Sequence, residues 1–194
     1  MRPLVARLAT SWLVLVLLGS CAPAPLAGTD LGKRMAPDFT LLDGPTGDSV
    51  TLTGLRGRVV VLTFLYTNCP DACPLTADKL RDARASLADA AKELSLVAVS
   101  VDPAGDTPDA TRAFVRAHRL EGALRFLVGD RASLARVWAS YGIGAEPAGS
   151  VVAHNDAIYL IDKQGRERSL LHSEVDVATL AASLRTLLSE SRVF

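Results

Sequence analysis

The 194-residue sequence contains little cysteine and has no excess of charge of either sign. Three cysteines are too few for a disulfide framework. A chain of this length does not need one, because folding buries about two thirds of its unfolded surface. The 21 basic and 21 acidic residues cancel, which argues against a nucleic-acid-binding protein, since such a protein carries a positive excess. With 49% hydrophobic residues, the sequence predicts one globular domain and not a disordered chain.

The hydrophobic run at the N-terminus is short. Residues 8 to 18 are apolar but too few to span the roughly 30 Å of bilayer hydrocarbon as a helix. With Arg2 and Arg7 ahead of them, they are typical of a signal peptide. Leu18-Gly19-Ser20-Cys21 then resembles a bacterial lipobox, in which the cysteine becomes the lipidated first residue of the mature protein. An uncleaved membrane anchor is the alternative, because no charged residue lies between residues 8 and 29.

These features predict three segments. Residues 1 to 20 form a signal peptide of the lipoprotein type, and residues 21 to 34 form a linker that begins at a lipidated Cys21. Residues 35 to 194 form the folded domain. Both interpretations of the N-terminus place this domain outside the cytoplasm, on the periplasmic side, and tether it to a membrane.

Strand-like and helix-like patterns alternate along the domain. The sequence VVVLTFLY at residues 59 to 66 is almost entirely apolar, which is typical of a strand buried on both faces of an α/β sheet. The patterns predict further strands at 94–101 and 125–128, hairpins at 39–52 and 157–171, and helices at 74–94, from 107 onward, at 133–141 and at 176–189. This order predicts an α/β protein of thioredoxin-like fold, with a mixed central sheet flanked by helices and an N-terminal β-hairpin.

Cys69 and Cys73 are the only cysteines in the predicted domain, and they lie between its central strand and its first long helix. Residues at i and i+4 share one face of a helical turn, so the two sulfurs can meet over one ligand. A helix N-terminus also favours thiolate over thiol. We therefore expect a low-pKa thiolate pair, which either cycles through a disulfide or holds a soft metal ion. Two buried structural cysteines are the weaker alternative.

Three stretches of the sequence, in order, carry a resemblance to a known family. The first is Phe64-Leu65-Tyr66-Thr67-Asn68-Cys69-Pro70-Asp71-Ala72-Cys73-Pro74. The second is Val99-Ser100-Val101-Asp102-Pro103 followed by Asp106-Thr107-Pro108, and the third is Val152-Ala153-His154 followed by Tyr159-Leu160-Ile161-Asp162. Together they resemble the Sco (SenC) family of copper-binding proteins of cytochrome c oxidase assembly, over about residues 35 to 190.

The resemblance implies copper as the bound metal and Cys69, Cys73 and His154 as its ligands. Two thiolates and an imidazole form a soft site that suits Cu(I) and can retain Cu(II) with an extra donor. A closed structural zinc site would need a fourth ligand of this kind. The sequence departs from the family pattern at Asn155-Asp156-Ala157, which are more polar than that pattern and leave the start of the next strand open.

The resemblance also implies the function and the partners. The leading hypothesis is a copper metallochaperone that helps assemble the dinuclear copper site of cytochrome c oxidase subunit II, together with another periplasmic copper chaperone and a thiol reductant. The alternative is a thiol–disulfide oxidoreductase that reduces the cysteines of that site with Cys69 and Cys73 as its redox pair. A peroxiredoxin-like peroxidase is a weaker third hypothesis, because the threonine of a T-x-x-C motif is missing.

The remaining histidines are predicted to lie outside the site. His118 falls on a predicted helix between Arg116 and Arg119, and His172 follows the last strand, so both are interpreted as surface or half-buried residues. Asp71, between the two cysteines, either tunes the thiols or is an ordinary acidic residue of a first helical turn.

Overall fold

The computed structural model describes residues 25–148 and 151–190, so the predicted signal peptide, the predicted lipobox and Cys21 lie outside the described residues. The strands in these ranges are β1 (Thr29–Asp30), β2 (Thr40–Asp43), β3 (Ser49–Thr51), β4 (Val59–Leu65), β5 (Leu94–Ser100), β6 (Leu124–Val128), β7 (Ala145–Ala148), β8 (Val151–His154), β9 (Ile158–Ile161) and β10 (Glu167–Leu171). The α-helices are α1 (Ala72–Ala85), α2 (Pro108–Ala117), α3 (Arg131–Ser140) and α4 (Val177–Ser189), and 3-10 turns lie at Leu52–Leu55 and Ala88–Glu93. None of the helices in these two ranges is long and apolar enough to cross a membrane.

One mixed sheet organises the domain, with the strand order β1-β10-β9-β4-β5-β6-β2-β3. Strands β4, β5 and β6 run parallel to one another, and the other neighbours pair antiparallel. The central strands β4 and β5 are buried along their whole length, as their near-continuous apolar sequences require. Helices α1 and α4 pack against each other, and α2 packs on β6. The predicted thioredoxin-like α/β fold is confirmed.

The helices begin where local capping allows it. Thr107 precedes α2 with extended backbone, and its hydroxyl accepts a hydrogen bond from Ala110 N–H at 3.2 Å, with Pro108 at the first helical position. Asp130 and Asp176 cap α3 and α4 in the same way.

Because β4, β5 and β6 run parallel, their carboxyl ends and the loops that follow them lie at one edge of the sheet.

The helix predicted at residues 74 to 94 starts earlier and is shorter. Helix α1 begins at Ala72 and ends at Ala85, and a separate 3-10 turn follows at Ala88–Glu93. Ala88 has a φ of 49°, in the left-handed region that does not continue a right-handed helix. Because Leu87 and Ala91 are nevertheless buried, the apolar spacing continues past the break and conceals it.

The segment predicted as a linker joins the fold before residue 34. Strand β1 pairs antiparallel with β10, with Thr29 opposite Leu170. Gly28 makes this approach possible, because it has a φ of +84° and a Cβ there would lie 2.3 Å from the carbonyl oxygen of Leu170. The chain between Cys21 and the folded domain is therefore shorter than predicted.

Candidate metal centre

The cysteine loop, residues 66–73, leads from the end of β4 into α1. Cys69 is half-buried and precedes the helix, whereas Cys73 is the second residue of α1 and is only 1% exposed. The backbone N–H of Cys73 donates a hydrogen bond to Cys69 Sγ at 3.3 Å, and the N–H of Cys69 donates to the Tyr66 carbonyl at 3.4 Å. The structure thus brings the two thiols together as predicted, but the cause is different. The helix begins at Ala72, so a turn that folds Cys69 back onto the helix N-terminus makes the contact, and not a shared helical face.

The protonation of Cys73 also differs from the prediction. Burial raises the pKa of the Cys73 thiol, and its hydrogen bond with the Cys69 thiol raises that pKa further. The expectation of a low-pKa thiolate is therefore wrong for Cys73, because desolvation outweighs the favourable helix N-terminus. A soft cation bound to the sulfur would replace the proton that burial retains there.

A buried carboxylate holds the base of the cysteine loop. Asp106, in the connection from β5 to α2, is 3% exposed. It accepts a hydrogen bond from Thr67 N–H at 2.7 Å and another from the Ser100 hydroxyl at 2.6 Å. Burial raises the pKa of Asp106, against the lowering effect of these hydrogen bonds. The sequence stretch that contains Asp106 was recognised, but not this role, since only the tertiary contact with Thr67 reveals it.

The loop that carries Asp106 packs closely against the cysteine loop. Asp102 accepts a hydrogen bond from Gly105 N–H at 3.1 Å, and a Cβ at Gly105 would lie 2.2 Å from Asp102 Oδ2 and 3.3 Å from Asn68 Nδ2. Only glycine fits between these groups. Asp102 therefore shapes a turn, and this turn packs against Asn68 of the cysteine loop.

His154 lies at the end of the histidine hairpin, formed by β7 and β8. These strands pair only with each other, with Ala145 opposite His154, and form a sheet separate from the main one. His154 is half-buried, and its Nδ1 lies 3.2 Å from the carbonyl oxygen of Asn155. Its ring packs edge-to-face on the ring of Tyr66, with 5.9 Å between the ring centroids. The sequence predicted the histidine but not the hairpin.

The polar residues after His154 have structural roles. The Asn155 side chain accepts a hydrogen bond from Gly144 N–H at 2.7 Å and donates one to the Gly142 carbonyl at 3.1 Å, which closes the base of the hairpin. The Asp156 carboxylate accepts a hydrogen bond from Ser173 N–H. Strand β9 then begins at Ile158. The departure from the family pattern in this stretch therefore lies in the connection between β8 and β9.

The three predicted ligands are not all in one cluster. In residues 25–148 and 151–190, no group of three or more His, Cys, Asp or Glu side chains is arranged to hold a metal ion. Cys69 and Cys73 are in contact, whereas His154 packs on Tyr66, the first residue of the cysteine loop. Two soft sulfur donors suit Cu(I), which accepts few ligands, and the imidazole is a nearby additional donor.

The other histidines lie where the sequence predicted. His118 is half-buried, with its Nδ1 3.0 Å from Asp78 Oδ1 and its ring on Phe114. His172 is exposed, and its Nδ1 lies 2.8 Å from the Asp156 carbonyl oxygen. Asp71 is exposed at the N-cap position of α1 and makes no capping hydrogen bond with its side chain.

A cavity of about 680 Å³ lies away from this site, at the amino ends of β5 and β6. Its lining includes Arg58, Arg84 and Arg116, and neither the two cysteines nor His154 belongs to it. The two cysteines lie outside this cavity, after the carboxyl end of β4 and therefore at the opposite edge of the sheet.

The fold and the site together define the class of protein to which this domain belongs. A thioredoxin-like domain with two contacting thiols at its strand-to-helix turn and a histidine one aromatic ring away is a domain for soft-metal or thiol chemistry. Comparison with known proteins then identifies the family. The family model for SCO1/SenC matches residues 27–189, and the chain belongs to that family.

Individual relatives cover most of the domain. Bradyrhizobium japonicum ScoI, solved with copper bound, is 29% identical and has a TM-score of 0.71, covering 79% of this chain and 99% of its own. A SCO2-like protein of Rickettsia prowazekii is 28% identical over 164 residues, which are 78% of this chain and 78% of that protein. BsSco, described as a member of the Sco family of cytochrome c oxidase assembly proteins with a disulfide switch, shares the fold at 22% identity with a TM-score of 0.71, over 84% of this chain and 98% of its own.

Proposed function

We propose that this chain binds one copper ion through Cys69 and Cys73, with His154 as a third ligand, and delivers it to the dinuclear copper site of cytochrome c oxidase subunit II. The observation that carries the proposal is the proximity of the two cysteines: the Cys73 backbone N–H donates to Cys69 Sγ at an N···S distance of 3.3 Å, and the two thiols are hydrogen-bonded to each other. Membership of the SCO1/SenC family supports it. So do the copper bound by the Bradyrhizobium relative and the assembly function given for BsSco.

The environment of the two sulfurs indicates how copper would be bound and released. Formation of each copper–sulfur bond expels the thiol proton to solvent, so a positive ion replaces the proton at the buried Cys73. Cys69 is half-buried and Cys73 is 1% exposed, so a recipient would approach the ion from the side of Cys69. Transfer is then a ligand exchange, in which a recipient thiolate binds the ion before Cys69 leaves it.

Anaerobic titration of the reduced protein with Cu(I), with the metal counted per chain, tests this proposal. We expect one copper per chain in the wild type and in the control variant Thr76→Ser, a conservative change at a buried position of α1. Failure of the wild type to take up copper in stoichiometric amount would overturn the metallochaperone hypothesis.

Thiol–disulfide exchange is the second candidate function, and the contact between the free thiols favours it. Oxidation to a disulfide would remove both soft donors, so copper binding and the disulfide should exclude each other. A thiol reductant and another periplasmic copper chaperone are then the partners that prepare the site. Copper uptake measured against free thiol along a glutathione redox series checks this, and equal uptake by fully oxidised and reduced protein would exclude Cys69 and Cys73 as the ligands.

We also propose that the domain is tethered to the periplasmic face of a membrane through a lipid on Cys21. Leu26 and Ala27 already pack against the core, so roughly 18 Å of extended chain separates Cys21 from the domain at most. Replacement Cys21→Ala should release the protein from membranes or stall its processing. Wild-type protein that stays membrane-bound with residues 1 to 20 attached would instead support an uncleaved anchor.

A further inference from the structure

Tyr66 is the point at which the two halves of the candidate metal centre meet. It follows directly on β4 and is 3% exposed, so the core fixes its side chain. Its ring packs edge-to-face on the His154 ring at 5.9 Å between centroids. Its hydroxyl interacts with the backbone of Val152 in β8 and with the Cys69 side chain. One side chain thus touches both elements that carry the proposed ligands.

The end of the histidine hairpin that carries His154 is held by the buried Ala145 opposite it and by the Asn155 side chain, and Tyr66 adds a contact to the imidazole itself. A two-stranded hairpin is marginally stable by itself, and these two strands do not join the eight-stranded sheet. No residue of β8 is fully buried. The Asn155 side chain closes the hairpin base through Gly142 and Gly144, which leaves Tyr66 as a contact at His154 itself.

We propose that Tyr66 is a positioning residue that ties the histidine hairpin to the cysteine loop and sets the reach of His154 toward the two thiols. The buried ring supplies the packing surface for the imidazole, and the hydroxyl lies beside the Val152 backbone and the Cys69 side chain. The part of the inference that concerns copper rests on the proposed function.

The test compares the full-length wild type with Tyr66→Phe, which keeps the ring, and Tyr66→Leu, which removes it. The matched control is Tyr141→Phe, because Tyr141 is another buried tyrosine whose hydroxyl donates to the Pro37 carbonyl at 2.7 Å. The first readout needs no metal: hydrogen exchange of the amides in β7 and β8. We expect about fivefold faster exchange in Tyr66→Phe, as loss of one hydrogen bond implies, and a larger increase in Tyr66→Leu.

The second readout is Cu(II) affinity together with the electron paramagnetic resonance spectrum of the Cu(II) protein. Loss of a group that orients a metal ligand costs about 10- to 100-fold in affinity, and we expect Tyr66→Phe near the lower value and Tyr66→Leu near the upper. The nitrogen contribution to the spectrum should weaken in the same order. Cu(I) affinity should change by less than about threefold, because the two sulfurs suffice for that ion.

The two hypotheses fail in different ways. A wild type that takes up no copper would overturn the proposed function, whereas the exchange of the hairpin amides would still decide the role of Tyr66. If the hairpin amides of Tyr66→Phe exchange at the wild-type rate, Tyr66 does not position the hairpin. Acceleration of the same size in Tyr141→Phe would also overturn the proposal. Since Tyr66→Phe removes one oxygen from a folded core, it keeps the inference testable even where Tyr66→Leu fails to fold.

Discussion

The cysteine loop and the histidine hairpin carry the proposed ligands on very different supports. The cysteine loop continues a strand that is buried at every residue. The buried carboxylate of Asp106 accepts a hydrogen bond from the backbone N–H of Thr67 in this loop. The hairpin pairs only with itself and exposes or half-exposes every residue of β8. The core therefore dictates where the two sulfurs lie, whereas the position of the imidazole depends on a few contacts at the edge of the domain. Such a division would suit the proposed metallochaperone, which binds an ion and then releases it.

Replacing either cysteine should have the largest effect on the metal. Cys69→Ser and Cys73→Ser each leave one soft donor, and a single thiolate with an imidazole does not retain Cu(I) tightly. We expect both variants to lose tight Cu(I) binding while their folds remain intact. A competition titration with a Cu(I) chelator measures this, and unchanged affinity in both variants would contradict the assignment of these ligands.

Removing the carboxylate under the cysteine loop should have the largest effect on stability. Asp106→Ala leaves the Thr67 N–H and the Ser100 hydroxyl without their acceptor, which should cost about 3 kcal/mol in the free energy of unfolding. Chemical denaturation measures the loss. The control Asp109→Ala, at an exposed position of α2 in an ion pair with Arg112, should change stability by less than about 1 kcal/mol. Equal losses in the two variants would show that Asp106 is not a structural support.

Removing the imidazole should separate the two oxidation states of copper. His154→Ala should weaken Cu(II) binding by about 10- to 100-fold and Cu(I) binding much less, since Cu(I) tolerates two sulfur ligands and Cu(II) prefers an added nitrogen. His172→Ala is the matched control, because His172 is an exposed histidine bonded to the Asp156 carbonyl. Equal losses of Cu(I) and Cu(II) affinity in His154→Ala would argue against different roles for sulfur and nitrogen.

Opening the base of the hairpin should have a smaller and local effect. Asn155→Ala removes two hydrogen bonds at the surface, to Gly144 N–H and the Gly142 carbonyl, which should cost about 1 kcal/mol. Hydrogen exchange should accelerate in β7 and β8 and stay unchanged in β4 and β5. Acceleration throughout the main sheet would show that the hairpin unfolds together with the core, and that its support does not differ from that of the cysteine loop.

The smallest expected effect is the pH dependence contributed by Asp106. Its native pKa is raised by burial, so the native state holds the proton more tightly than the unfolded chain does. The stabilisation from this carboxyl is therefore complete below the unfolded pKa of about 3.9 and is lost as the pH rises through the native pKa. The unfolding free energy of wild type minus that of the non-titrating variant Asp106→Asn should decrease between pH 3 and pH 7. A difference that grows over this interval would contradict the raised pKa.

Much of the fold followed from local patterns. The apolar runs located β4 and β5 within one residue of their ends, and the Thr107-Pro108 pair located the start of α2. The break after α1 was missed, because Leu87 and Ala91 keep their helical spacing across the left-handed Ala88. The histidine hairpin was missed as well, since its strands are short and mostly exposed and therefore lack a clear apolar alternation.

The sequence by itself determined which groups the site can use and where they fall along the chain: two thiols at a strand-to-helix turn and a histidine before a late strand. Composition and short-range periodicity suffice for that, because they reflect interactions between near neighbours in the chain. Only the tertiary structure decided that Asp106 supports the cysteine loop, that burial raises the pKa of the Cys73 thiol and that Tyr66 packs against His154. These contacts join residues from different elements, and desolvation depends on everything packed around a group, so no local pattern contains them.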